Sequence, residues 1–136
     1  MRRFAAVITS IVALGTLGLT ASLSAQNFDA VQIRAQSLGG GIYMLMGQGG
    51  NIGLSVGEDG VFIIDDQFAQ LSDKIMAAIA ELTDKPVNFV VNSHFHYDHS
   101  DGNENFGRAG AYIVATDNAR RRMESTQVLA GSGRVQ

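Results

Sequence analysis

The three histidines of this 136-residue chain all fall within six positions, as His94, His96 and His99, with Asp98 beside the last. Histidines used singly for packing or at the surface have no reason to gather in this way, so a shared ligand is the economical reading. On an extended segment, residues two apart project to one side, which lets His94 and His96 reach one cation with ring nitrogens at about 2.0 to 2.1 Å. Asp98 is expected to continue that alternation, and His99 to point elsewhere, toward a neighbouring ion. Imidazoles with a carboxylate suit zinc, and iron or manganese can accept the same set. The competing reading is a solvated loop with an ion pair between Asp98 and His99, which leaves the clustering unexplained.

Such a group needs a rigid element to present it. Val87 to Asn92 is predicted as a buried strand whose C-terminal end carries the histidines into a loop, the edge where α/β proteins place their sites. Upstream, Val31 to Ala35 suits a leading strand, and Gly39, Gly40 and Gly41 punctuate the chain. Ile42 to Met46 reads as a strand, and Asn51 to Val56 with Val61 to Ile64 as a hairpin closed by Gly57, Glu58, Asp59 and Gly60. The unbroken apolar run Val61, Phe62, Ile63, Ile64 predicts burial on both faces. Leu71, Ile75, Ala78, Ile79 and Leu82 recur at helical spacing, so Gln70 to Leu82 is predicted as an amphipathic helix, and Pro86 blocks its continuation.

Past the histidines, Ala111 to Ala115 is a further strand. Thr116 or Asp117 then caps a helix through Arg120, Arg121 and Arg122, with Arg120 paired to Glu124 on a solvated face. Gly47, Gln48, Gly49, Gly50 and Asn51 invite a phosphate-loop reading, but no Gly-Lys-Ser/Thr follows, and a tight turn between strands fits better. Strands alternating with helices give an α/β layered fold, without internal repeat or a linker to a second domain.

With 46% hydrophobic and 17% charged residues the chain has the balance of a globular protein. Arg2 and Arg3, an uncharged apolar stretch from Phe4 to about Ala21 and the small-residue run to Ala25 form the three parts of a secretory signal. Residues 1–25 are therefore expected to be removed and residues 26–136 exported, to the periplasm or beyond. The alternative is an uncleaved anchor, which Thr9, Ser10, Thr16 and Thr20 dilute. Removal moves the formal charge from −3 to −5, since two arginines and no acid leave. An acidic chain is a poor nucleic-acid binder, and no membrane role is expected after cleavage. The absence of cysteine excludes disulfides and thiolate-held metal within the chain.

The run Asn92, Ser93, His94, Phe95, His96, Tyr97, Asp98, His99, Ser100, Asp101, Gly102, Asn103 resembles the signature of the metallo-β-lactamase-fold superfamily. The layout before it, with a glycine-rich strand pair, an apolar strand ending at Asp65, an amphipathic helix and one more strand, is similar to that family's opening half. The resemblance covers most of Phe28 to Met123. It implies an αββα sandwich of two similar halves, of which this chain holds the first, with a binuclear site at the sheet edge. His94 and His96 would hold the first metal, and Asp98 and His99 the second. A histidine at position 99 resembles the glyoxalase-II-like and histidine-ligated lactamase branches. The implied activity is hydrolysis of a small-molecule ester, thioester, amide or lactam by hydroxide held on zinc, with two ions per complete domain. Asp98 would orient the attacking water and accept its proton. Asp65 is either a hydrogen-bond partner that fixes the loop or a strand-end turn acid. Phe95 and Tyr97 are expected to pack the loop.

A binuclear site with about three protein ligands per metal needs roughly six side chains, and this motif supplies four. The family takes the remainder, two histidines and a bridging aspartate, from its second half, and no histidine follows His99 here. The expectation is an N-terminal part of the domain, its C-terminal half missing, which alone binds metal weakly and hydrolyses little. Two other classes share the motif: a mononuclear iron dioxygenase of the same fold, and a catalytically incomplete metal-binding chain.

Overall fold

Gly39, Gly40 and Gly41 take φ of 91°, 60° and 79°, a backbone that a Cβ resists, and so turn the chain between β1 (Arg34–Gly39) and β2 (Ile42–Met46). This computed structural model describes residues 27–128 and Val135. The secretory signal read in residues 1–25 lies outside the described residues. Strand β3 (Asn51–Val56) pairs antiparallel with β2 and, from Val56 opposite Val61, with β4 (Val61–Ile64). Strands β5 (Val87–Asn92) and β6 (Tyr112–Ala115) then add in parallel, giving one six-stranded sheet in sequence order. Parallel neighbours require crossovers. The first runs through a 3-10 turn at Ala69–Leu71 and helix α1 (Ser72–Ala80), the second through α2 (Tyr97–Ser100) and α3 (Asn103–Arg108). Helix α4 (Asp117–Met123) follows β6 and is capped by Thr116, whose hydroxyl accepts from the Ala119 amide at 3.2 Å.

This mixed sheet with helices is the α/β layered architecture read from the sequence. Leu45, Ile52, Leu54, Val61, Ile63 and Val90 from the strands meet Leu71, Ile75 and Ile79 of the first crossover and Phe106 of α3 in one buried core. Each such aliphatic side chain contributes about 1.5 to 3 kcal/mol through burial. Lys74 ties the N-terminal segment onto α1, its Nζ donating to the carbonyls of Phe28, Asp29 and Val31 at 2.7 to 2.9 Å.

Several boundaries differ from the sequence reading. The leading strand is Arg34–Gly39, not Val31 to Ala35, because its residues are all exposed and no apolar alternation fixes its register. Helix α1 stops at Ala80, although Leu82 still donates to Ile79 at 2.9 Å. The predicted two-sided burial of β4 is corrected: Val61 and Ile63 are fully buried, but Phe62 and Ile64 are 44% and 52% exposed. Among the described residues, helices back one face of the sheet and leave the other largely open. No helix among them is long and apolar enough to cross a membrane.

Candidate metal centre

Strands β4 and β5 end side by side, Ile64 opposite Val91, and the chain leaves both into the site. After β4, Asp65 and Gln67 adopt φ of 65° and 58°, a left-handed backbone that costs a residue with a Cβ about 1 to 2 kcal/mol. Hydrogen bonds to the histidine segment hold the turn there. The Asp65 amide donates to the Val91 carbonyl at 3.0 Å and the Asp66 amide to the His99 carbonyl at 2.9 Å. The Gln67 carbonyl accepts from the amides of Asp101 and Gly102 at 3.0 and 3.2 Å.

After β5 the chain bends through Ser93, His94 and Phe95, is extended at His96, whose ψ is 142°, and enters α2 at Tyr97. Asp98 is therefore presented by a helical turn, and the expected continuation of the two-residue alternation is corrected. His99 does not point elsewhere either: its ring lies 4.1 Å from that of His94, centroid to centroid, and the His94 ring lies 4.7 Å from that of His96. The four sequence-predicted residues thus stand as two facing pairs, and of them only His94 and His99 belong, with Asp65, to a set of three donors within 4.8 Å of one another. Nε2 of His94 lies 3.1 Å from Nδ1 of His96, and Nε2 of His99 lies 3.5 Å from Oδ2 of Asp98.

Asp65 orients this group. Its Oδ1 accepts the Ser93 amide at 2.7 Å; its Oδ2 accepts the Ser93 hydroxyl at 2.7 Å and His99 Nδ1 at 2.8 Å. The Ser93 hydroxyl hydrogen is committed to Asp65, so Oγ accepts from His94 Nδ1, 2.9 Å away. One carboxylate therefore assigns both rings the Nδ1–H tautomer and leaves the Nε2 lone pairs of His94 and His99 directed into the centre. Burial first, then the His99 and His96 rings, lowers the pKa of His94, which favours the neutral ring that a cation requires.

The donor chemistry fits a metal ion. Ligands at about 2.0 to 2.1 Å in a tetrahedral shell sit roughly 3.3 Å apart, and the two facing pairs bracket that spacing. A donor set of Asp65, His94 and His99 also lies within 4.8 Å. In that set Asp65 is better assigned to orienting the rings, because three hydrogen bonds already occupy its two oxygens.

Sequence reasoning missed three features around the centre. Asp66 is fully buried, and burial pushes its carboxyl up to about 8; its bond from the Gly102 amide opposes the rise, and Asp65 and Asp101 add to it. Gln67 is buried and its Nε2 donates to the Gly50 carbonyl. The Gly47 to Gly50 turn joins β2 to β3, as the tight-turn reading expected, but it also abuts His99. Only the acid doublet at the end of an apolar strand hinted at Asp66. Phe95 packs as expected, 5.0 Å beneath the Arg122 guanidinium, whereas Tyr97 is half exposed.

The sequence matches the metallo-beta-lactamase superfamily over residues 46–132. Among solved structures, it is similar to a B3 metallo-beta-lactamase with an active-site glutamic acid (25% identity, TM-score 0.58, covering 64% of this chain and 34% of that one). It is also similar to a metallo-beta-lactamase from Novosphingobium pentaromativorans (27%, 0.62, 71% and 37%). A third similar structure is a subclass B3 metallo-beta-lactamase from a soil metagenome library (23%, 0.66, 77% and 42%), a likeness of fold alone. The chain spans about a third to two fifths of the length of these structures. No curated protein matches it.

Proposed function

The chain belongs to the metallo-beta-lactamase superfamily, and on that basis we propose that it carries the first part of a binuclear zinc hydrolase site. His94 and His96 would hold one cation, and His99 and Asp98 the other. The observation that carries this reading is the facing of those donors in two pairs, 3.1 and 3.5 Å apart, at the ends of adjacent strands. When bound, the ions supply ionised water at neutral pH and polarise the substrate carbonyl. Asp65 keeps the His94 and His99 rings in the receptive tautomer. Asp98, with 41% of its side chain exposed, orients the water and accepts its proton at a carboxylate oxygen.

The substrate is a small molecule with a hydrolysable acyl bond. A β-lactam is the first to try, because similar structures at 25% and 27% identity are named as metallo-beta-lactamases; an ester, thioester or amide is the wider class. Action outside the cytoplasm is supported by the sequence of residues 1–25. Four donors stand where two ions need about six, so this chain is expected to bind zinc weakly and turn over slowly. The test is cobalt(II) titration of the purified chain, followed by its visible ligand-field bands, alongside hydrolysis of a chromogenic β-lactam. Imidazole-type bands that vanish in the His94→Ala/His96→Ala variant support the reading; equal cobalt affinity in the two proteins would refute it.

A further inference from the structure

We infer that Gly50, backed by Gln67, is a positioning residue that holds the His99 ring in register with Asp98; as a statement about cation binding, this rests on the function proposed above. A Cβ added at Gly50 would lie 2.5 Å from His99 Cε1, 3.0 Å from Nε2 and 3.1 Å from Nδ1. The ring has nowhere to retreat. Its Nδ1 is held by Asp65 at 2.8 Å, and the His94 ring lies 4.1 Å away between centroids. Glycine is required here for space, since Gly50 is not among the positive-φ residues.

The neighbouring residues of the turn act on the same pair. Gly49, with φ of 90°, would place a Cβ 2.9 Å from Asp98 Cβ. The Gly50 carbonyl accepts from Nε2 of Gln67, whose left-handed backbone is pinned by the Asp101 and Gly102 amides. The β2–β3 turn is thus clamped from beneath by the same strained segment that carries Asp65, and His99 lies between the two. Gly53, three residues further along β3, offers a contrast: a Cβ there meets Ile64 at an ordinary 3.5 Å.

The experiment uses the full chain labelled with 15N-histidine and read by long-range 1H–15N correlation without metal, then by zinc competition against a chromogenic chelator. Wild type and Gly53→Ala are expected to show His99 as a single Nδ1–H tautomer. Gly50→Ala should move the His99 nitrogens toward tautomer averaging and weaken zinc binding at least tenfold. Gln67→Asn tolerates the left-handed backbone but is one methylene too short to reach Gly50. It should shift His99 in the same direction, and it carries the test should Gly50→Ala fail to fold. Wild-type His99 shifts in both variants would overturn the inference. A chain that shows the tautomer and its loss in Gly50→Ala, yet binds no zinc in any form, supports the positioning role and removes the metal reading.

Discussion

Asp65 shows how much one side chain determines at this centre. Asn at this position keeps the tolerance for positive φ but places an NH2 group where Oδ2 now accepts from Ser93 and His99. Two donors would then face a donor, and His99 is expected to turn over to the Nε2–H tautomer, which cannot bind a cation through that atom. Asp65→Asn should weaken zinc binding about 10- to 100-fold, measured by chelator competition; unchanged affinity would show that Asp65 is only a turn acid. Asp66, next in the chain, has a separate effect. Its folded-state carboxyl titrates at about 8, against about 3.9 when unfolded. Between those values the folded chain binds one proton more at Asp66, so this group's contribution to stability is full below about pH 4 and is lost as pH rises through 8, by up to about 1.4 kcal/mol per pH unit. Asp66→Asn should flatten that slope, as checked by urea unfolding of the metal-free chain at pH 5 and pH 7.5. A slope equal to wild type would place the titration elsewhere.

At the scale of elements, legibility followed periodicity. The bounds of β2, β3, β4 and β5 could be read in advance because apolar runs and glycine turns delimit them; the presence of α1, though not its ends, could be read because Leu71, Ile75 and Ile79 share a face. The short helices α2 and α3 could not, because Tyr-Asp-His-Ser and Asn-Glu-Asn-Phe-Gly-Arg carry no apolar period. That omission placed Asp98 on an extended segment when a helical turn presents it. The site residues were legible as types and spacing, while their pairing depends on a turn at Asp65 to Gln67 that no local signal announces. Lys74 was equally silent in sequence, since its role is to donate to carbonyls more than forty residues away. Lys74→Met keeps the apolar stem and removes those bonds. It should cost about 1 to 3 kcal/mol and open the Asn27 to Ile33 segment to limited proteolysis; wild-type protection there would show that the tilted contact of Phe28 with Phe68, 5.0 Å between centroids, suffices alone.

At the scale of the whole molecule, the sheet has one covered and one largely open face among the described residues. Val61, Ile63 and Val90 are fully buried under helices, while their strand neighbours Phe62, Ile64, Phe89 and Val91 are 38% to 52% exposed and Tyr112 is 72% exposed. This is why the apolar run at Val61 to Ile64 misled: sequence records that both faces of a strand are apolar, not whether a second layer lies within the described chain. An open apolar patch of this kind favours association and binds hydrophobic dyes. Phe89 and the edge-strand Tyr112, 5.7 Å apart between ring centroids, belong to it. Phe89→Thr with Tyr112→Thr removes the rings and puts strand-favouring β-branched residues in their place. The variant is expected to bind less 8-anilinonaphthalene sulfonate and to stay monomeric at higher concentration, at a cost below about 1.5 kcal/mol because Phe89 is already 43% and Tyr112 72% exposed. A loss of several kcal/mol in chemical unfolding, with no change in dye binding, would instead mean that this face is covered in solution.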